Sequence, residues 1–136
     1  MNKLTKQLKQ EKAKLLYADL QKAIQRLKEI SAARFTITNR DATIKRFEFT
    51  FEIAWKLIKT LVELTGLKSA SPRSAIRQAA DTGLLNDPEK WLKFLNIRNT
   101  TVHIYKEEMI KMVYPEAKKF HILVAKLLET AKTHLV

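Results

Sequence analysis

The sequence contains no cysteine, which excludes a disulfide scaffold, a thiolate zinc site and a cysteine nucleophile. It has only two glycines and three prolines in 136 residues, too few for the many turns of an all-β fold. Their scarcity favours a few long helices. Apolar residues make up 46% of the chain, so it is not disordered, and its length suits about one domain. We therefore predict a single helical domain over residues 1–136.

Long apolar runs are also absent. The densest run, Ile122 to Leu128, is interrupted by Lys126 and is too short to span a bilayer. The first six residues alternate charged and apolar side chains and lack the apolar region of a signal peptide. Together with the missing cysteine, these features predict a cytoplasmic protein without a membrane span.

Acidic residues are scarce relative to basic ones: 26 Lys and Arg face 14 Asp and Glu, a net charge of +12. A small protein this basic attracts polyanions such as RNA, DNA, nucleotides or an acidic protein. Alternatively, the lysines simply solvate the surfaces of helices. Charge alone leaves both interpretations open.

Apolar spacing predicts the first two helices. Between Lys3 and Ser31 the apolar residues recur at intervals of four and three, the stripe of a bundle helix. A second helix, capped by Asn39 or Asp41, reaches Thr65 before Gly66. Its apolar positions form two stripes over a wide arc, so it must be covered on two sides. It is either the central helix of the bundle or part of a dimer interface.

Proline marks the later helix starts. Ser71-Pro72 opens a short helix that stops at Gly83, and Asp87-Pro88-Glu89 opens another that continues through Arg98. After a break over residues 100–105, a last long apolar stripe runs to Ala131 and contains Pro115, where we expect a kink or restart. The prediction is an all-α fold, an antiparallel up-and-down four-helix bundle with one extra short helix.

Most signatures of a functional site are missing, including phosphate loops and metal-binding histidine pairs, so we predict no metal and no cofactor. The segment from Arg98 to Tyr105 differs, because it gathers a guanidinium, an amide, two hydroxyls, an imidazole and a phenol. Such groups suit phosphate: Arg98 offers a bidentate fork, and His103 can move a proton near neutral pH. The alternative is that Arg98 and His103 cap the helix end and pair with Glu48 or Glu52.

Arg98, His103 and Tyr105 form an Arg-x4-His-x-Tyr pattern that resembles the signature of HEPN domains. The stretch Arg46 to Lys56, reading RFEFTFEIAWK, resembles the second helix of one branch, the nucleotidyltransferase substrate-binding protein family. Ser71-Pro72-Arg73 and the helix that carries Trp91 extend this resemblance from about Leu16 to the C-terminus.

The resemblance implies a homodimer of helical bundles in which Arg and His face a cleft near the dimer axis. It implies a minimal nucleotidyltransferase partner, and RNA or a nucleotide as ligand. The protein would be a metal-independent ribonuclease toxin that this partner neutralises by adenylylating Tyr105. Alternatively, it is a non-catalytic nucleotide- or substrate-binding subunit of the transferase.

The ribonuclease interpretation assigns a role to each candidate residue. His103 is the general acid or base, and Arg98 stabilises charge on the phosphate. Asn99 helps to hold the phosphate or the backbone. Glu48 or Glu52, on the second helix, orients Arg98 or His103.

Overall fold

The computed structural model describes residues 1–103, the last of these by its backbone alone, and residues 106–135. Over these ranges it contains no strand, which confirms the all-α prediction, and six helices. They are α1 (Lys3–Ala32), α2 (Ile37–Glu63), α3 (Pro72–Asp81), α4 (Pro88–His103), α5 (Glu107–Ala117) and α6 (Phe120–Lys132).

The helices form a bundle around α2, which contacts all five of the others. α1 packs along α2, and α5 and α6 together take the place of the single last helix that the sequence predicts. The predicted restart is confirmed, because α5 ends at Ala117, two residues after Pro115, and α6 begins at Phe120. Proline lacks the N–H that a helix interior needs, which weakens the turn around it.

The start of α2 differs from the prediction. The N-cap is Thr36, whose Oγ1 accepts a hydrogen bond from the Asn39 backbone N–H at 2.9 Å, and neither Asn39 nor Asp41 caps the helix. The Asn39 side chain instead donates to the carbonyl of Arg34. A threonine cap stabilises a helix by about 1 kcal/mol, which offsets the low helix propensity of the β-branched Ile37 and Thr38.

The predicted break over residues 100–105 is wrong at its start, because α4 continues to His103. The hydroxyls of Thr100 and Thr101 donate to the carbonyls of Asn96 and Arg98, within the same helix. Thr101 is also buried against the bundle. This packing outweighs the weak helix propensity of threonine.

Phe120, the first residue of α6, is the centre of the aromatic core. Its ring centroid lies 4.9 Å from that of Phe94, 5.1 Å from Phe47, 5.5 Å from Trp91 and 5.7 Å from Phe51. The cluster joins α2, α4 and α6 and covers one stripe of α2. Central position therefore accounts for most of the wide apolar arc of α2, although Phe49 remains 56% exposed.

Within residues 1–103 and 106–135, no helix combines the length and the apolarity that crossing a membrane requires.

Candidate functional site

Arg98 lies on the side of α4 that faces α2 and is fixed by a charged partner there. Its Nη2 donates to Oε2 of Glu52 at 2.5 Å, and its guanidinium carbon lies 5.9 Å from the centre of the Phe51 ring. The side chain is 24% exposed, so the guanidinium is anchored at one edge and still reaches solvent. Of the two glutamates that the sequence offers as partners for Arg98, the structure brings Glu52 to it.

Glu52 is held by two further groups on its own helix. Trp55 Nε1 donates to Glu52 Oε2 at 3.1 Å, and Lys56 Nζ lies 3.5 Å from Oε1. The indole fixes the carboxylate that fixes Arg98, while Lys56 offsets its charge. Trp55 is not among the site residues predicted from the sequence, although its position three residues after Glu52 places the two side chains on one face.

Asn99 is exposed and lies beside Arg98, whose Nη1 donates to its Oδ1 at 3.2 Å. A guanidinium has five N–H donors, and the contacts with Glu52 and Asn99 use one each. The remaining donors have no partner within residues 1–102 and 106–135, and they can bind an incoming phosphate oxygen in the paired geometry that arginine favours.

Glu48 lies one turn before Glu52 on α2, and its side chain is only 14% exposed. Its Oε1 is buried without a hydrogen-bond partner among the described residues, and its Oε2 is 3.8 Å from Lys45 Nζ. α2 and α4 run antiparallel, because Phe51 contacts Trp91 while Phe47 contacts Phe94. Glu48 is therefore displaced from Glu52 towards the C-terminal end of α4.

His103 is the last residue of α4. It follows Arg98 by five residues, so the two Cα atoms are separated by about 7.5 Å along the helix axis. The structure thus places both residues of the predicted pair at one end of one helix. Tyr105, the predicted modification site, lies outside the described residues.

An ion pair that sequence reasoning missed joins the start of α2 to the start of α5. Arg40 is buried, and its Nη1 and Nη2 donate to the Glu107 carboxylate at 2.5 and 3.4 Å. The hydrogen bond from Arg40 holds the pKa of Glu107 below its usual value, and the same bond raises the pKa of Arg40. The pair holds the chain at Glu107, two residues after Tyr105. Its partners are separated by 67 positions, so no local signal reveals it.

Two exposed apolar side chains flank the Arg98–Glu52 pair. Phe49 precedes Glu52 by three residues on α2, and Val102 follows Arg98 by four on α4, so each shares a helix face with the pair. Phe49 is 56% and Val102 46% exposed. We call these two side chains the apolar rim of the site.

A known protein family matches most of the chain. Residues 11–133 match the family model described as nucleotidyltransferase substrate binding protein like. The chain belongs to this family. A curated relative named probable ribonuclease HepT, from Haemophilus influenzae (strain ATCC 51907 / DSM 11121 / KW20 / Rd), is 30% identical over 91 residues. That match covers 63% of this chain and 62% of the relative, so it spans less than two thirds of the relative's length.

Solved structures share the fold of this family member. A protein from Thermus thermophilus is 34% identical and superposes with a TM-score of 0.74 over 81% of this chain and 96% of its own. A Shewanella oneidensis HEPN toxin, described as tri-AMPylated and in complex with MNT antitoxin, has a TM-score of 0.75. It covers 98% of this chain and 99% of its own at 16% identity, so it shows the fold alone. The HEPN-like bundle that the sequence predicts is confirmed.

Proposed function

We propose that this protein is the HEPN component of a two-component system with a nucleotidyltransferase, and that it is a metal-independent ribonuclease. The observation that carries the proposal is Arg98, five residues before His103, which is anchored by Glu52 and has guanidinium donors without a partner among the described residues. The curated relative is named a probable ribonuclease, which supports the same activity. The net charge of +12 suits an RNA substrate.

The reaction needs only groups that this site and RNA supply. The ribose 2′-oxygen attacks the adjacent phosphorus, the bond from phosphorus to the 5′-oxygen breaks, and a 2′,3′-cyclic phosphate forms. His103 carries out one of the two proton transfers, removing the proton of the 2′-hydroxyl or delivering a proton to the leaving 5′-oxygen, and water takes up or supplies the other proton. Arg98 stabilises the charge that develops on the phosphate oxygens, and Asn99 holds Arg98 or the phosphate itself.

The two glutamates take separate roles in this proposal. Glu52 positions Arg98, because it is the carboxylate that Arg98 contacts. Glu48 is the candidate to orient His103, since it is displaced towards the end of α4 that carries His103 and its buried Oε1 lacks a partner among the described residues. A buried carboxylate oxygen gains most from a charge-assisted hydrogen bond.

The test is cleavage of RNA in excess EDTA by the parent protein and by Arg98→Ala and His103→Ala variants. Cleavage should continue under chelation and fall by at least ~100-fold in either variant, the usual effect of losing an acid–base group. A His134→Ala variant is the matched control, because His134 lies at the end of α6 and contacts Thr130. Equal cleavage by all four proteins would refute the assignment.

The second candidate function is a non-catalytic nucleotide- or substrate-binding subunit of the transferase. The description of the family favours it, because that description names substrate binding for a nucleotidyltransferase. A phosphate-binding cleft uses the same Arg98 as a phosphate-cleaving one. A protein that binds RNA or nucleotide through Arg98 and never cleaves RNA would establish this alternative.

We further propose a homodimer in which the apolar rim, Phe49 and Val102, is covered by a second copy. Large exposed apolar side chains beside a charged cleft are typical of an interface. Light scattering should give about twice the chain mass of 15.8 kDa for the parent and a smaller mass for Phe49→Glu. Leu15→Glu, at an exposed apolar position on α1, is the control that should remain dimeric. A monomeric parent at micromolar concentration would rule the dimer out.

Tyr105 is the proposed point of control. Tyr105 is close to Arg98 in sequence, so attaching AMP to its hydroxyl would bring a phosphate and a base near the guanidinium. The added anion would then compete for the guanidinium that RNA needs. Mass spectrometry after co-expression with a minimal nucleotidyltransferase should show AMP on Tyr105, and none at this position in Tyr105→Phe. An unmodified Tyr105 in a neutralised complex would show inhibition by binding alone.

A further inference from the structure

A second group of cations converges at the corner where α1 ends and the chain passes from α5 to α6. A cavity of about 510 Å³ opens there, and we call it the α1–α5 cavity. The described residues that line it include three lysines and a histidine, and none is acidic; the basic ones are Lys28, Lys118, Lys119 and His121. A concave surface with one sign of charge concentrates counter-ions, so the ligand that suits this cavity is an anion.

A buried hydroxyl in the wall of the cavity points to the same ligand chemistry. Ser31 lines the cavity and is only 7% exposed, yet its Oγ has no hydrogen-bond partner among the described residues. A buried hydroxyl without a partner costs about 1–3 kcal/mol. A phosphate oxygen bound in the cavity would supply the missing partner.

The first turn of α6 lies beside the cavity, although its Ile122 N–H already donates to the Lys119 carbonyl at 3.1 Å. α6 begins at Phe120, and its N-cap residue, Lys119, makes no side-chain capping bond. The first N–H groups of a helix attract anions, and α6, with 13 residues, is long enough for this effect. Lys118 Nζ lies 5.2 Å from the centre of the Tyr114 ring, a contact that restrains this lysine beside the opening.

A neighbouring cavity between α4 and α6 is a weaker candidate for the same ligand. It has a volume of about 260 Å³ and shares Lys119 with the α1–α5 cavity. Lys93 is paired there with Glu116 at 3.0 Å, and Lys126 is paired with Asp87 at 3.5 Å. These carboxylates cancel part of its charge, whereas the described lining of the α1–α5 cavity has no acidic residue.

We propose that the α1–α5 cavity binds a backbone phosphate of the RNA strand, at a second contact distinct from the Arg98 cleft. The ligand assignment rests on the proposed function, because a ribonuclease must hold a strand that extends beyond the scissile phosphate. The described side chains assigned to the cleft are absent from the lining of this cavity. The cavity would therefore contribute to affinity and register of the strand without taking part in bond cleavage.

The pKa of His121 can be used to detect an anion bound in the cavity. Burial, and secondarily the charge of Lys28, lower the pKa of this imidazole in the free protein. A phosphate between these groups would favour the imidazolium form and raise the His121 pKa. The experiment is an NMR pH titration of the three histidines, alone and with a 2′-O-methyl RNA oligonucleotide, which cannot be cleaved because its 2′-oxygen is blocked.

With the oligonucleotide, the His121 pKa should rise. Lys119→Ala should abolish the rise and weaken oligonucleotide binding at least about 10-fold, the size of one lost charge-assisted hydrogen bond. Lys12→Ala, an equal change of charge on the exposed surface of α1, should do neither. An unchanged His121 pKa, or equal effects of both substitutions, would overturn the proposal.

Ser31→Ala separates binding from folding. Removing an unpartnered hydroxyl should leave the melting temperature unchanged or raise it, while weakening oligonucleotide binding. A lower melting temperature with unchanged binding would overturn the role of Ser31. A His121 response to inorganic phosphate and none to the oligonucleotide would overturn the assignment of RNA.

The oligonucleotide is not cleaved, so these outcomes do not depend on ribonuclease activity. A protein that cleaves RNA without a His121 response would refute the second contact alone. A response in a protein that never cleaves RNA would support the contact and refute the nuclease.

Discussion

Glu52→Gln tests whether the carboxylate that holds Arg98 acts on the reaction or only on the fold. Glutamine keeps the size of the side chain and an oxygen that can accept from Trp55 Nε1, removes the negative charge, and replaces the oxygen near Lys56 by an NH2 group. The pair is partly exposed, 24% at Arg98 and 35% at Glu52, so its contribution to the free energy of unfolding is about 0.2–1 kcal/mol. The variant should therefore unfold within about 1 kcal/mol of the parent.

The effect on cleavage should be larger than the effect on stability. A neutral amide holds the guanidinium less firmly than a carboxylate does, and small displacements of a positioned group reduce rates strongly. We expect kcat to fall about 10-fold, since the bond retained is weaker by roughly 1 kcal/mol or more. RNA binding should be unchanged or tighter, because the cation beside the phosphate is no longer partly neutralised.

The assay is cleavage of a short fluorescent RNA, analysed for kcat and KM separately, beside urea unfolding of the same samples. Glu63→Gln is the matched control: Glu63 also lies on α2 and pairs with Lys9 at 3.2 Å, with side chains 21% and 30% exposed. It should lose similar stability and no activity. Equal kcat values for Glu52→Gln and the parent, or an equal fall in Glu63→Gln, would refute the reasoning.

Two predictions concern the fold. Phe120→Ala should lower the free energy of unfolding by about 3–5 kcal/mol, because it empties the centre of the aromatic cluster. Phe35→Ala, at a position 64% exposed, should lower it by less than about 1 kcal/mol. Similar losses for the two variants in chemical denaturation would contradict the packing described. Arg40 lowers the pKa of Glu107, so the pair stabilises the fold above the usual carboxyl pKa and loses this effect as pH falls through the lowered value. The urea midpoint of Glu107→Gln should therefore lie below that of the parent at pH 7 and approach it as the pH falls through the lowered pKa of Glu107. Glu108→Gln, a neighbouring substitution outside the ion pair, should have the urea midpoint of the parent at pH 7.

Local features of the fold are readable from the sequence because they depend on neighbours along the chain. Ser71 caps α3 by accepting from the Ser74 N–H, and Pro72 occupies its first position, as the dipeptide predicts. Gly83 follows the end of α3 with a φ of +82°, a conformation that glycine adopts without a steric penalty. Pro115 likewise lies close to the end of α5, two residues before its last residue, and its missing N–H leaves one helical hydrogen bond unmade.

The sequence does not determine the end of a helix where several neighbouring residues could cap it or continue it. Thr36, Asn39 and Asp41 are all suitable caps, and the structure selects Thr36. Thr100 and Thr101 have weak helix propensity, yet α4 continues through both. In each case the free energies that separate the alternatives are about 1 kcal/mol or less; the capping bond of Thr36 decides the first, and the burial of Thr101 against the bundle decides the second.

Some features of the candidate site likewise follow from the sequence, and others depend on the tertiary structure. The sequence alone determined that Arg98 and His103 are spaced along one segment and that Glu48 and Glu52 share one face of another, because a helix repeats every 3.6 residues. Only the tertiary structure decided that Arg98 meets Glu52, 46 positions away, and that Arg40 meets Glu107, 67 positions away. It also brought Ser31 to the same cavity as Lys119. Such contacts depend on how each helix is rotated about its axis, and the packing of the whole core, centred on Phe120, sets that rotation.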